Sequence, residues 1–299
     1  MYQQHFRLNE TPFSLTPNTG FFFGLTPHLE ALQVLQTALQ TGEGFTKVTG
    51  EVGTGKTLIC RKLINELPSD FHCAYLPNPY LTPQELRWAV AMELGLEYSK
   101  DIDQQQLIGL IQKQLMGLAA KGFSVVLVVD EAQAMSDDSL EALRLFTNLE
   151  TESRKLLQVV LFGQHELDER LKEQKFRQLR QRITFSYNLR PLDRDEIQGY
   201  IQHRLMVAGY EGPTLFGAKE VKIITKASRG IPRLINVLCH KAMLLSYGEG
   251  CSIVKVAHIR AAIKDTEDTV VAPRRWFWIG SLGVLSLALS VGMTLVGFN

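Results

Sequence analysis

The sequence predicts an α/β fold: a parallel five-stranded sheet between helices, followed by an all-helical domain and a C-terminal transmembrane helix. Three observations carry this. Short apolar runs rich in β-branched residues alternate with helix-period segments as far as residue 190, the pattern of a parallel sheet covered on both faces. The glycine-rich stretch GEVGTGKT (50–57) stands between the first run and the next helical segment. The chain also closes on an uncharged apolar stretch, Trp276 to Phe298, directly behind Arg274 and Arg275.

Taken in order, FTKVT (45–49), HCAYL (72–76), SVVLVVD (124–130), LQVVLFG (157–163) and ITFSYNL (183–189) are the expected strands. Between them, Leu58–Leu67, Pro83–Leu94, Gln104–Ala120 and Ser139–Leu149 have helical periodicity. No convincing strand follows Leu192. Asp193 with Glu196 three residues on is a capping box that opens a helix, and further helices are expected over Ala218–Ser228, Pro232–Tyr247 and Val254–Asp265. The expected organisation is 1–192 for the N-terminal segment and α/β core, 193–268 for a helical lid, 269–275 for a linker and 276–298 for a membrane span.

The span is long enough to cross a hydrocarbon core of about 30 Å at roughly 1.5 Å per residue. Its flanking arginines and the WFW that opens it suit the cytoplasmic interface. The expectation is a single-pass tail anchor in a bacterial inner membrane, with the soluble domains in the cytoplasm. Gly283, Ser286, Ser290 and Gly297 fall near one stripe of that helix, where small residues permit close helix approach; incidental small residues fit equally well. The N-terminus carries charged residues and no apolar run, so it is not a secretory signal. Across 299 residues the formal net charge is +1 and 21% are charged, which weighs against a dominant polyanion-binding role. Four well-separated cysteines (Cys60, Cys73, Cys239, Cys251) lack the clustering of a disulfide framework or zinc site.

The chemistry concentrates in a few places. Gly50 to Thr57 satisfies G-x-x-x-x-G-K-T between a strand and a helix, where backbone N–H groups and the helix N-terminus can cradle phosphates. Gly50, Glu51, Val52, Gly53, Thr54, Gly55, Lys56, Thr57 and Leu58 are therefore the expected nucleotide-binding residues. Lys56 would reach the β- and γ-phosphates, and Thr57 with Asp130 would hold Mg²⁺. Asp130 and Glu131 end an apolar strand in VVLVVDEAQ; Glu131 is the candidate that polarises the attacking water. Gln164, just past a strand, could sense the γ-phosphate. Arg177, Arg180 and Arg182 sit ahead of the fifth strand, and Arg182 is the choice for a trans-acting finger. Arg233, behind Gly230 and Pro232, could reach back from the lid.

Together these blocks resemble the AAA+ ATPases, and more closely the bacterial general secretion pathway protein A (ExeA-type) family. FRLNETPFSLTPNTGFFF, GEGFTKVTGEVGTGKT, LVVDEAQ, VVLFGQHEL, LRQRI and SRGIPRLINVLCHKAMLLSYG carry the resemblance, over about residues 2–265. Within the family, the short membrane-ended MSHA pilus biogenesis branch is the better match, because the sequence stops at Asn299 where the secretion members continue into a periplasmic region. The resemblance implies a homo-oligomeric, ATP- and Mg²⁺-dependent ATPase that assists inner-membrane pilus or secretion assembly proteins. It also implies that Phe22 and Phe23 lie near the adenine.

Two other readings stay open. One is a DNA-associated AAA+ ATPase of the initiator or transposition-helper kind, prompted by the basic run over 170–182; the other is a nucleotide-dependent scaffold with negligible hydrolysis.

Overall fold

The computed structural model describes residues 2–269, apart from 98, 100, 101, 147 and 151–153. A short helix α1 (Tyr2–His5) and a 3-10 turn (Thr19–Phe21) lead to α2 (Thr26–Thr41), β1 (Phe45–Gly50), α3 (Lys56–Asn65) and β2 (Phe71–Leu76). Then come α4 (Pro83–Glu93), α5 (Gln104–Ala120), β3 (Ser124–Val129), α6 (Asp137–Phe146), β4 (Gln158–Gly163), α7 (His165–Lys172), α8 (Arg177–Arg182) and β5 (Ile183–Leu189). Four helices complete the described part: α9 (Arg194–Val207), α10 (Ala218–Ser228), α11 (Pro232–Gly248) and α12 (Val256–Lys264). The expected membrane span lies outside the described residues; among those described, no helix is long and apolar enough to cross a membrane.

Local chemistry explains the helix starts. Thr82 and Glu85 form a capping box at α4 with Pro83 in its first turn, Asp103 caps α5, and Asp193 with Glu196 caps α9; each satisfies backbone donors that the first turn leaves unpaired. Besides the four-residue α1, two helices escaped the sequence reading. The first, α2, has no side-chain cap at Leu25, and α7 follows β4 directly with an uncapped Gln164 before it.

All strand pairings are parallel, in the order β2-β3-β4-β1-β5. The strands of β3 and β4 are almost entirely buried, as expected for apolar runs covered on both faces. One core layer lies against α4, α5 and α6, including Leu86, Ile111, Leu115 and Leu143. The other lies against α2 and α3, including Leu35, Ile59 and Leu63. Because the strands run parallel, the loops after β1, β3 and β4, three adjacent strands, open on one edge of the sheet, where ligands bind in open α/β folds.

A third core belongs to the helical part and holds a surprise. Ile197, Ile201, Ile224, Ile235, Leu238 and Met243 pack there with Tyr2, Phe6, Leu8, Phe13, Phe21 and Leu25. The N-terminal segment is thus built into the lid's hydrophobic core, although it was grouped above with the α/β core. Phe22 of the same segment packs instead against the core layer under α2 and α3. All four cysteines are free, with Cys60 and Cys239 buried.

Candidate functional site

The loop between β1 and α3 turns sharply, with Gly53 at φ +81° and Gly55 at φ +105°, conformations that glycine reaches without a Cβ penalty. The loop also touches the lid: a Cβ on Gly53 would lie 2.6 Å from Arg233 Cβ, and the Arg233 N–H donates to the Gly53 carbonyl at 3.1 Å. Lys56 is buried, and its ammonium donates to the Gly50 and Glu51 carbonyls, each at 2.9 Å. Burial pushes its pKa down, while Glu131 and Asp130 pull the other way. Thr54 donates its hydroxyl to the Glu51 carbonyl at 2.8 Å. From α2, the buried His28 ring lies 3.0 Å from the Thr54 carbonyl through Nε2. The phosphate loop is therefore braced from within by Lys56 and from behind by His28.

At the end of β3, Asp130 is 3% exposed. Burial raises its carboxyl pKa, against the Thr57 hydroxyl and the Glu131 N–H that hydrogen-bond to it. Glu131 adopts φ +52°, uncommon for a non-glycine residue and a mark of local strain. Its Oε2 accepts from the Gln164 amide at 3.1 Å and from the Gln133 amide. The Gln164 N–H in turn donates to Gln133 Oε1 at 3.0 Å. Arg170 from α7 fixes this turn by donating to the Gln133 and Met135 carbonyls, each at 2.8 Å.

These groups line one cleft of about 350 Å³ between the sheet edge, the lid and the N-terminal segment. Val52, Gly53, Gly55, Lys56, Thr57, Leu58, Glu131, Gln164 and Arg233 all face it. Gly50, Glu51 and Thr54 instead serve the loop from below through the bonds just described. Asp130 sits behind Thr57; a hydroxyl and a carboxylate in contact are hard oxygen donors that fit Mg²⁺. The three finger candidates lie elsewhere. Arg180 donates to the Leu171 and Lys172 carbonyls at the end of α7, Arg182 to the Arg144 carbonyl at 3.3 Å, and Arg177 is exposed.

The two phenylalanines expected near adenine do not line the cleft. Phe22 lies under the Lys62 ammonium (5.0 Å), and Phe23 stacks on His203 (4.6 Å between ring centres). Ser14 to Asn18 line the cleft instead, with Tyr200, Arg204 and Asn236 from the lid. The sequence reading missed His28, Gln133, Tyr200, Arg204 and Asn236. Gln133 and Asn236 carried a signal, as parts of DEAQ and of SRGIPRLIN.

The AAA domain family matches residues 39–171. The chain is 44% identical over 258 residues to General secretion pathway protein A of Aeromonas hydrophila, a match covering 86% of this chain and 47% of that protein; the chain thus spans about half the length of that relative. Among solved structures, Cdc6p of Pyrobaculum aerophilum superposes with a TM-score of 0.65 at 18% identity, covering 85% of this chain and 70% of that one. Drosophila ORC bound to DNA does so at 0.63 and 21%, covering 88% and 65%. At such identities the likeness speaks for the fold alone. With the phosphate loop, the Asp130–Glu131 pair and the sheet order in agreement, the chain carries an AAA domain of P-loop fold and is similar over most of its length to a general secretion pathway protein A.

Proposed function

We propose that this protein is a Mg²⁺-dependent ATPase that assists assembly of an MSHA-type, type IV-like pilus or a type II-like secretion system at the bacterial inner membrane, anchored there by residues 276–298. The observation that carries the enzymatic part is the convergence of Lys56, Thr57, Glu131, Gln164 and Arg233 on one cleft. The assembly part rests on the 44% identity to the secretion protein.

In this reading the loop N–H groups and Lys56 hold the β- and γ-phosphates, and Arg233 approaches them from the lid. Thr57 and Asp130 hold Mg²⁺, which neutralises charge on the phosphate oxygens. Glu131 polarises the attacking water once Gln164 and Gln133 release its carboxylate. Catalysis is then mostly positioning and charge stabilisation. A neighbouring subunit of a homo-oligomer supplies Arg182, or Arg177 or Arg180 in its place, to the same cleft.

The test is affinity capture from crosslinked cells with Glu131→Gln, which should retain ATP, beside Lys56→Ala as the nucleotide-free control. Envelope assembly proteins enriched only with Glu131→Gln support the proposal. Chromosomal DNA without envelope partners would replace it with the initiator-like reading. Against that second reading, much of the basic run over 170–182 is already paired: Arg170 with Asp137, Lys172 with Glu169, and Lys175 with Asp137 and Glu173.

A further inference from the structure

One buried cation takes no part in the chemistry above. Arg204, on α9, is 5% exposed, and among the described residues no carboxylate forms an ion pair with it. A buried guanidinium without a counter-ion is costly unless its donors are satisfied. Here they are satisfied by one segment and one helix face. Nε donates to the Pro12 carbonyl, one terminal nitrogen to the Ser14 carbonyl at 3.4 Å, and the other to the Tyr200 hydroxyl at 3.0 Å. The guanidinium also lies over the Phe21 ring, 4.7 Å from its centre.

The network continues into the helix that carries Arg233. The Tyr200 hydroxyl donates to Asn236 Oδ1 at 3.0 Å, and the Asn236 amide donates to the Ser14 carbonyl at 3.4 Å. Tyr200 and Arg204 are one turn apart on α9, and Arg233 and Asn236 one turn apart on α11, so each pair shares a face. On its other side the segment is pinned to the core, because Arg61 of α3 donates to the Pro17 carbonyl at 2.9 Å. Residues 12–21 therefore cross from lid to core beside the cleft, and Ser14 to Asn18 line it.

We propose that Arg204 is a positioning residue that fastens residues 12–21 to the lid as a strap over the nucleoside end of the cleft, so that the lid holds the strap against the nucleotide. This rests on the nucleotide reading above. It assigns the strap to the base and ribose and leaves the triphosphate to the loop. A guanidinium fork is required because three separate acceptors must be held in one plane; a lysine supplies the charge without that geometry.

The experiment compares ATP with inorganic tripolyphosphate as ligands of the full chain, by equilibrium binding, in wild type, Arg204→Lys, Tyr200→Phe and Lys56→Ala. Arg204→Lys should weaken ATP about tenfold, the scale of one lost charge-assisted hydrogen bond, and leave tripolyphosphate unchanged. Tyr200→Phe, which keeps the ring, should give a smaller loss of the same kind. Lys56→Ala should lose both ligands. Hydrogen exchange over residues 12–21 should slow on adding ATP to wild type and not to Arg204→Lys. Unchanged ATP affinity in both lid variants, or an equal loss for ATP and tripolyphosphate, would overturn the assignment. A wild-type chain that binds tripolyphosphate but no ATP would overturn the nucleotide reading itself, and the strap's role with it.

Discussion

The Gln164 side chain holds Glu131: its amide donates to the carboxylate at 3.1 Å, from the end of β4 to the end of β3. The residue proposed to polarise water is therefore tied to the residue proposed to sense the γ-phosphate. Glu131→Gln should lower ATP turnover on the order of a hundredfold or more while ATP still binds. Gln164→Ala should also lower kcat with little change in ATP affinity. Steady-state turnover beside equilibrium binding checks both, and wild-type turnover in Glu131→Gln would remove that residue from the chemistry.

The close approach of Gly53 to Arg233 predicts an intolerant glycine. Gly53→Ala adds a Cβ 2.6 Å from Arg233 Cβ at φ +81°, whereas Gly95→Ala, at φ +69°, meets nothing within 4 Å. Both substitutions carry left-handed strain of about 1–2 kcal/mol; Gly53→Ala should cost a further ~1–3 kcal/mol of overpacking and weaken ATP. Urea unfolding of the two variants side by side isolates the steric part.

Helix α9 begins at a reciprocal cap. Asp193 Oδ1 accepts from the Asp195 and Glu196 N–H groups, and Glu196 Oε2 accepts from the Asp193 N–H, each at 2.9 Å. Asp193→Ala should cost about 1 kcal/mol, seen as a lower denaturant midpoint with an unchanged slope. Glu196 also pairs with Arg190, which holds its carboxyl below the usual range, so Glu196→Ala should cost more.

His28 gives a pH dependence with a defined sign. Burial keeps its pKa below the ordinary value, opposed by the Thr54 and Phe23 backbone and by Glu196, with Arg190 acting alongside burial. The unfolded chain therefore takes up the proton first as pH falls through about 6.5, and stability drops from there until the folded pKa is passed. Melting temperature from pH 7.5 to 5 should fall more steeply in wild type than in His28→Gln. Parallel profiles would show that His28 does not carry the effect.

How much of this was legible depended on the range of the interaction. Strands such as SVVLVVD and the capping box at Asp193 are written in neighbouring residues, as is the phosphate loop, and the structure has them where local pattern puts them. The braces are not local. Arg204 on a helix of mixed polarity reads as a solvated charge, and its acceptor at Pro12 lies 192 residues away. His28 sits in a helix without a capping side chain, and only the turn of the loop over it reveals a role. Phe22 and Phe23 were placed near the adenine by the family resemblance alone; their rings turn instead to Lys62 and His203.

The joining of the first residues to the last helices also has a consequence for synthesis. Tyr2 hydrogen-bonds His240 at 3.0 Å, so this segment is completed only by helices synthesised 238 residues later. At about 5–20 residues per second, Phe6, Phe13 and Phe21 wait on the order of ten seconds or longer for their partners. During that interval the nascent chain carries an aromatic segment without its helical partners. Removing it would not trim a dispensable leader; it would leave the finished lid with an open core.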